Sequence, residues 1–277
     1  MPSLTSKMTK TGTRLRGAAI LAAAASLTLA LSGCTKLETT SPASVREAAE
    51  AKGGDAKGGD AKGAAGARAR AGSGTVDCRD AKCIALTFDA GPSEHSARLL
   101  DILKEEQVPA TFFLLGRRHI DTYPELVRRM ADEGHELANH TWTHKILTDA
   151  EPDEIREELE RPNKEIERLT GRRPTLMRPP QGRTDDTVHD ICRELGLAEV
   201  LWTVTAKDYK TNDSALITKR VLEQSSRDGI ILLHDLYDGT VPAVPGIIDA
   251  LKKRGYVFVT VSQLLAPGKA EPGKVYR

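Results

Sequence analysis

Residues 134–144 read Gly-His-Glu-Leu-Ala-Asn-His-Thr-Trp-Thr-His, a short β-rich segment that ends in two closely spaced histidines. Residues 136–139 predict a strand, and His140 and His144 follow at its C-terminal end. Two imidazoles at this spacing can meet on one face of a helical turn and bind one divalent metal ion, although such histidines are also common as surface residues. Barrels and open α/β sheets carry their chemistry at the C-terminal ends of strands, which favours a functional site here.

Short β-rich segments alternate with helical patterns on both sides of this stretch. Strands are predicted over residues 84–88, 110–115, 136–139, 176–178, 199–204, 230–233 and 256–261. Helices are predicted over residues 94–106, 123–133, 151–169, 184–195, 214–226 and 244–254. Pro162 is expected to kink or split the third helix. Such alternation predicts one parallel sheet with helices outside it, either closed as a barrel or doubly wound.

The composition is that of an ordinary globular protein. The chain has 277 residues, enough for one large α/β domain with a core and additional tails. It has 40 basic and 39 acidic residues and a net charge of +1, so no basic excess argues for a nucleic-acid partner. Aromatic residues make up only 4%, which does not favour a long stacking groove for a polymer. We expect a monomer.

Residues 1–34 are typical of an export signal. A basic segment precedes an apolar run over residues 17–31, which is too short for a comfortable membrane span of ~20 residues but fits the core of a signal peptide. The run ends in Leu-Ser-Gly-Cys at residues 31–34, which resembles the bacterial lipobox. An ordinary signal peptide with a chance cysteine is the alternative. The pattern predicts export and anchoring to the outer face of the cell membrane through lipidated Cys34, with secretion as the alternative.

The next segment predicts a tether. Residues 35–75 are rich in Ala, Gly, Lys and Asp, a composition that buries no core, so we expect a flexible linker. Residues 76–268 form the predicted catalytic domain and 269–277 a C-terminal tail. Cys78 and Cys83 are able to close a small disulfide loop in an exported protein. Cys192 falls in a helical pattern and is most simply a small buried hydrophobe.

Polar residues follow five of the predicted strands at their C-terminal ends. A turn aspartate, a surface arginine or a core histidine explains each of them alone, but not all of them at one rim of one sheet. The five stretches are Thr-Phe-Asp-Ala-Gly-Pro at 87–92, Asn-His-Thr-Trp-Thr-His at 139–144, Arg-Pro-Pro-Gln-Gly at 178–182, Lys-Asp-Tyr at 207–209 and Ile-Leu-Leu-His-Asp at 231–235.

These five stretches, in this order and at this spacing, resemble the five motifs of the polysaccharide deacetylase family (carbohydrate esterase family four, with the NodB-homology domain). The resemblance covers about residues 83–265 and implies an irregular seven-stranded (β/α) barrel. It implies removal of acetyl groups from N-acetylated glycans such as chitin and peptidoglycan, or of O-acetyl groups from xylan. It also implies a divalent metal, for which we expect zinc, with cobalt, manganese or nickel as alternatives.

The resemblance assigns roles residue by residue. Asp89 matches the catalytic base and Arg178 the residue that orients it. His234 matches the general acid and Asp208 its partner, while His140 and His144 match two metal ligands. The matching substrate-binding residues are Pro180, Gln181 with its backbone N–H at the oxyanion, Tyr209, and Leu232 in the wall of the acetyl-methyl pocket. We expect Asp89→Asn and His234→Ala to nearly abolish turnover while folding survives, and Arg178→Ala to lower the rate by less.

Three positions depart from the family pattern. Ala90 stands where the family usually has an aspartate that supplies the third metal ligand. Gln181 stands where an aromatic residue is usual, and Thr205 and Tyr209 stand where Asp and Trp are usual. With Ala90, either Asp89 stays free as a base and the metal binds weakly, or Asp89 becomes a ligand and a poorer base.

The sequence thus predicts a membrane-anchored deacetylase of N-acetylated glycan, either peptidoglycan or a chitin-like oligomer. An O-acetyl esterase acting on xylan or wall glycan is one alternative. A catalytically impaired glycan-binding lipoprotein, suggested by Ala90, is the other.

Overall fold

A computed structural model of the chain describes residues 37–53 and 76–277. The predicted signal peptide with Cys34, and most of the predicted linker, lie outside these residues. A compact unit extends from Glu38 to Arg277. Within the two described ranges, no helix is both long enough and apolar enough to cross a membrane.

The described residues form nine strands and eight α-helices. The strands are β1 Lys82–Asp89, β2 Thr111–Leu114, β3 Glu136–Asn139, β4 Leu176–Met177, β5 Ala198–Val200, β6 Val204–Thr205, β7 Gly229–His234, β8 Tyr256–Val259 and β9 Val275–Tyr276. The helices are α1 Pro42–Gly53, α2 Ser96–Glu105, α3 Pro124–Asp132, α4 Pro152–Thr170, α5 Asp186–Glu194, α6 Ser214–Gln224, α7 Thr240–Lys253 and α8 Val261–Leu265.

The strands form one curled parallel sheet with helices on its outer face. Its order is β6-β7-β1-β2-β3-β4-β5-β9, with β8 also paired to β1. All recorded strand pairs are parallel. This arrangement confirms the predicted α/β barrel class, because parallel neighbours joined through helices put every strand's C-terminal end on the same rim.

The strand count differs from the predicted seven. The segment expected as one strand over residues 199–204 is two strands, with β6 at one edge of the sheet order and β5 next to β9 at the other edge. The Arg178 side chain donates to the carbonyls of Val200 and Leu201, between these two strands. The Arg178 guanidinium therefore satisfies two backbone carbonyls at the point where the chain leaves β5, as a neighbouring strand would do within a sheet.

Strand β1 separates the two sides of the barrel wall. Ile84, Leu86 and Phe88 pack in the outer core beneath the helices, whereas Cys83 and Ala85 belong to the inner cluster. Because strand side chains alternate between the two faces, residues 87 and 89 also point into the barrel. This period places Asp89 at the end of the inner face.

The predicted flexible linker is wrong for its first half. Residues 42–53 form helix α1, and Arg46 on this helix is only 5% exposed. Its guanidinium donates to the Leu264 carbonyl and pairs with Asp228 at 2.6 Å. The preceding Thr40 adds a parallel bridge to Tyr276. Average composition did not predict this helix, because a single buried ion pair and a few small residues are enough to hold it against the rest of the domain.

The predicted C-terminal tail is also wrong, because residues 269–277 complete the sheet. Val275 and Tyr276 are buried and pair with β5 as strand β9. The Glu271 backbone N–H donates to the Tyr276 hydroxyl at 2.8 Å. The domain therefore extends past residue 268 to the end of the chain.

Three smaller expectations have clear outcomes. Helix α4 runs from Pro152 to Thr170 without a split at Pro162. The structure pairs Cys78 with Cys83 in a disulfide. Cys192 is a free and buried thiol, as expected of a small hydrophobe, and burial raises its pKa.

Candidate active site

The two residues predicted as base and acid end neighbouring strands. Asp89 is the last residue of β1, His234 is the last residue of β7, and the two are register partners across the parallel pair. Register partners lie on the same face of a sheet, so both side chains meet at the inner rim of the barrel. His140 follows the last residue of β3 at the same rim.

A buried ion pair fixes the Asp89 carboxylate. Arg178 is fully buried, and its Nη1 donates to Asp89 Oδ1 at 2.6 Å. The same guanidinium donates to Thr87 Oγ1 at 2.8 Å and lies over the Phe113 ring at 3.9 Å. A charge-assisted bond to one carboxylate oxygen holds the group in a single orientation. Asp89 Oδ2 lies 3.9 Å from Nε2 of His140.

The two histidines approach each other, but not on a helical turn. Their ring centroids are 4.9 Å apart. Residues 140–146 contain no helix, and both Thr141 (φ 71°) and His144 (φ 64°) are left-handed. The expected helical turn is therefore wrong. A bend with two left-handed residues, Thr141 and His144, brings the two imidazole rings together instead.

Buried polar groups stabilise this bend. The Glu158 carboxylate on α4 accepts the backbone N–H groups of Trp142 and Thr143 at 3.0 and 2.8 Å. The Asn139 side chain accepts the Thr141 N–H at 2.7 Å and donates to the Leu159 carbonyl. The bend has no helical hydrogen bonds of its own, so side chains from β3 and α4 accept its backbone N–H groups instead.

Both imidazoles are in the form that binds metal. Burial lowers the pKa of His140 to about 4, and burial likewise lowers the pKa of His144. The rings are therefore neutral near pH 7. His140 Nδ1 lies 2.8 Å from the Arg178 carbonyl, which makes Nδ1 the protonated nitrogen and leaves Nε2 free as a ligand.

The donor set fits a divalent metal held by two histidines, with the third protein ligand missing. Among residues 37–53 and 76–277, no three His, Cys, Asp or Glu side chains form a metal-binding group. Ala90 is buried and left-handed, with φ 63°, and its N–H donates to the Phe113 carbonyl at 3.0 Å. Aspartate tolerates this backbone conformation better than alanine does, so position 90 is conformationally suited to the residue that the family usually has there.

The second pair is His234 with Asp208. Nδ1 of His234 lies 2.9 Å from Asp208 Oδ1, and the His234 backbone N–H donates to Asp208 Oδ2 at 2.7 Å. The Thr240 hydroxyl also donates to Oδ2. Burial is the largest influence on the pKa of His234 and lowers it, but the hydrogen bond and charge of Asp208, together with the charge of Asp89, act in the opposite direction and outweigh it. The pKa of His234 is therefore raised.

The predicted substrate-binding residues border the same rim. Leu232 is buried on the face of β7 that carries His234, and its register partner is Thr87. Tyr209 is 49% exposed, with its ring centroid 6.1 Å from that of His234. Pro180 is buried, and Gln181 (φ 59°) is the exposed, left-handed centre of the turn that follows it.

Sequence reasoning missed two neighbours of His234. The Tyr237 ring centroid lies 5.4 Å from that of His234, in an edge-to-face arrangement. Asp235 is fully buried and bonds to the Ser96 hydroxyl, while its Oδ1 has no partner among the described residues. Burial raises the pKa of Asp235 to about 6. The sequence contains a signal for Asp235, because a strand residue after an inward-facing one points outward, toward α2.

Asp235 also explains a glycine in the first motif. A Cβ on Gly91 would lie 2.5 Å from Asp235 Oδ1. The Ser93 hydroxyl donates to the Asp235 carbonyl at 2.9 Å. The loops that carry Asp89 and His234 are therefore packed directly against each other.

Comparisons with known proteins agree with this geometry. The profile of the family described as polysaccharide deacetylase matches residues 77–200. The Listeria monocytogenes peptidoglycan-N-acetylglucosamine deacetylase PgdA is 37% identical over 196 residues, which is 70% of this chain and 41% of that protein. The chain thus spans less than half the length of this relative.

A second relative is covered over most of its length. The Bacillus subtilis peptidoglycan-N-acetylmuramic acid deacetylase PdaA is 34% identical over 189 residues, 66% of this chain and 72% of that protein. The solved structure of peptidoglycan deacetylase PdaC from Bacillus subtilis superposes with a TM-score of 0.64 at 39% identity, covering 68% of this chain and 92% of that one. The chain belongs to the polysaccharide deacetylase family.

Proposed function

We propose that this protein removes acetyl groups from the N-acetylated sugars of peptidoglycan by hydrolysing the amide bond. One observation carries the proposal. A carboxylate and an imidazole end paired strands at the same rim, each held by its own buried partner, Arg178 for Asp89 and Asp208 for His234. The relatives named as peptidoglycan deacetylases support the same substrate class.

Asp89 acts as the general base. Its Oδ1 is engaged by Arg178, so Oδ2 is the oxygen that takes a proton from the attacking water. When bound by His140 and His144, a divalent metal, which we propose to be zinc, supplies Lewis acidity toward the amide carbonyl and that water. Arg178 holds the Asp89 carboxylate in one orientation through its hydrogen bond to Oδ1.

His234 acts as the general acid. Asp208 holds the proton on Nδ1, so Nε2 donates its proton to the departing amine. We assign the Gln181 backbone N–H to the oxyanion and Leu232 to the acetyl methyl group. These two groups position the acetamide between the base and the acid.

Acetate release tests this function. Purified protein is incubated with peptidoglycan strands, with N-acetylglucosamine oligomers and with acetylated xylan. We expect release from the N-acetylated glycans, and its near-complete loss in Asp89→Asn. Release from xylan alone would mean an O-acetyl esterase, and no release from any substrate, with added zinc, cobalt, manganese or nickel, would refute catalysis.

Removing the charge of Asp208 should shift the pH profile. Asp208→Asn removes the charge and weakens the hydrogen bond by which Asp208 raises the pKa of His234, and leaves only the charge of Asp89 acting in that direction, so that pKa falls. A general acid works below its pKa and is lost above it. The alkaline limb of acetate release should therefore move to lower pH, as measured by rates across the pH range.

Asp153→Asn is a matched control on the exposed first turn of α4 and should leave the profile in place. An alkaline limb that stays unmoved in Asp208→Asn would contradict the assignment of His234 as the acid.

We propose that the wild-type site binds metal weakly and that Ala90→Asp raises its affinity for metal. With two histidines and no third protein ligand, we propose weak metal binding with activity retained. Ala90→Asp places a carboxylate where the backbone already favours aspartate, and should tighten metal binding by tenfold or more, about 1.4 kcal/mol. Calorimetric metal titration measures this without any reference to turnover.

Ala90→Asn is the control of equal shape without the charge, and it should gain little. If the wild-type protein already binds one metal tightly and Ala90→Asp changes nothing, then another residue completes the shell.

We also propose that the protein is exported and anchored to the outer face of the cell membrane through lipidated Cys34. The lipobox-like sequence at residues 31–34 supports this, and the cell-wall substrates named for the relatives suit such a location. Cys34→Ala should appear in the medium or remain unprocessed. Fractionation and intact mass measure this, and an unchanged result in both would contradict the anchor.

A further inference from the structure

The loop after β2 lies between the two loops that carry the base and the metal-binding histidines. Strand β2 pairs with β1 on one side and with β3 on the other. Residues 116–120, Gly-Arg-Arg-His-Ile, leave β2 at the catalytic rim. The five motifs of the family do not include this loop, and the catalytic roles assigned above do not use it.

The loop is clamped to both of its neighbours. The N–H groups of Gly116 and Arg117 donate to the carbonyls of Thr141 and Trp142 at 3.1 and 2.7 Å. A Cβ on Gly116 would lie 1.9 Å from the Trp142 ring, so only glycine allows this contact. On the other side, His119 Nδ1 lies 3.0 Å from the carbonyl of Pro92. The loop therefore holds a defined position beside the site.

The backbone of this clamped loop presents two arginines to solvent. Arg117 is extended and Arg118 is left-handed, with φ 68°, and both side chains are exposed. They line an open pocket of about 290 Å³ together with Leu115, His119 and Thr143. Thr143 directly precedes His144, so the pocket is bordered by the segment that carries the two candidate metal ligands.

The two guanidiniums carry uncompensated charge. Neither forms an ion pair with a carboxylate in residues 37–53 or 76–277, whereas Arg129 and Arg183 each do. Arginine binds carboxylates with two parallel hydrogen bonds, and a pair of exposed arginines in a pocket next to a catalytic centre suits an anionic group of the substrate.

We propose that Arg117 and Arg118 form a subsite for a carboxylate carried by the sugar next to the acetamide that is hydrolysed. This inference rests on the proposed function and deepens it. Muramic acid differs from glucosamine by a lactyl ether that ends in a carboxyl group. A stem peptide, where present, converts that carboxyl group to an amide and carries carboxylates of its own. The subsite would make the enzyme prefer such acidic glycan over neutral chitin-like oligomers.

Kinetics on three substrates tests the subsite. The substrates are neutral N-acetylglucosamine oligomers, peptide-free glycan strands with the lactyl carboxylate, and strands that retain stem peptides. We expect the ratio of kcat/KM for acidic over neutral substrate to fall about tenfold in the double variant Arg117→Gln/Arg118→Gln, mostly through KM. The preference of the wild-type protein should also weaken as salt is added.

The two acidic substrates separate the two sources of the carboxylate. A preference for peptide-free strands identifies the lactyl group, and a preference only for peptide-bearing strands identifies the stem. Arg128→Gln is the matched control, since Arg128 is exposed on α3 and forms no ion pair among the described residues. It should leave the substrate ratio unchanged.

Binding separates failure of the subsite from failure of the proposed function. Calorimetry with the same three glycans measures affinity without turnover. Tighter binding of acidic glycan that is lost in the double arginine variant supports the subsite even if no acetate is released. An equal ratio or equal affinity in the wild type and the double variant would overturn it.

Discussion

His234→Ala should nearly abolish acetate release while the protein remains folded. A positioned general acid contributes roughly 10²- to 10⁴-fold to such reactions, and an amide needs it because its amine is a poor leaving group. The fold should survive, since Asp208 keeps its bonds to the backbone N–H of residue 234 and to the Thr240 hydroxyl. Turnover is measured by acetate release, and folding by thermal denaturation and circular dichroism.

A surface histidine provides the control. His95 precedes helix α2 and pairs with the exposed Asp238, so His95→Ala should keep near-normal turnover. Added imidazole should restore part of the rate in His234→Ala, because a free imidazole is able to enter the space that the side chain leaves. Near-full activity of His234→Ala without imidazole would show that another group protonates the amine.

Arg178→Ala should lose stability as well as activity. Arg178 is fully buried and donates to Asp89, Thr87 and the carbonyls of Val200 and Leu201. Removing one partner of a buried pair costs about 3–5 kcal/mol, before the cavity is counted. That is a large part of a typical stability of about 5–15 kcal/mol.

Thermal and chemical denaturation measure this loss. For a domain of this size, we expect the Tm to fall by roughly 10 °C or more. Arg183→Ala is the control, because Arg183 pairs with Asp149 at the surface, where an ion pair contributes about 0–1 kcal/mol. The double variant Asp89→Asn/Arg178→Met should recover part of the stability, since it leaves no buried charge unpaired. An Arg178→Ala protein as stable as the control would mean that the pair is solvated.

Much of the catalytic rim follows from local patterns. The alternation of strands and helices predicts a parallel sheet, and parallel strands must present their C-terminal ends together. The inward period of β1 then places Asp89 at that rim, and the paired β7 places His234 beside it. The strand-end position of each residue could be predicted because strand periodicity acts over a few residues, whereas their pairing across β1 and β7 joins distant parts of the chain.

Other features depend on contacts between distant segments. Composition predicted a flexible stretch where α1 docks, because docking depends on Arg46 reaching Asp228 and Leu264. The bend at His140 and His144 depends on Glu158 of helix α4, which accepts the backbone N–H group of Trp142. Arg117 and Arg118 read as ordinary surface residues until the Gly116–Trp142 contact sets them beside the histidines.

The sequence alone therefore determined the parallel α/β class and the five strand-end motifs, whereas the roles of the acid, the base and the two histidines were inferred from the family resemblance. Only the tertiary structure decided that Arg178 is fully buried, that residues 42–53 and 275–276 form α1 and β9, and that a pocket with two arginines borders the segment of the two histidines. The physical reason is range: strand and helix periods act between near neighbours, whereas burial and ion pairing depend on which remote segments fold together.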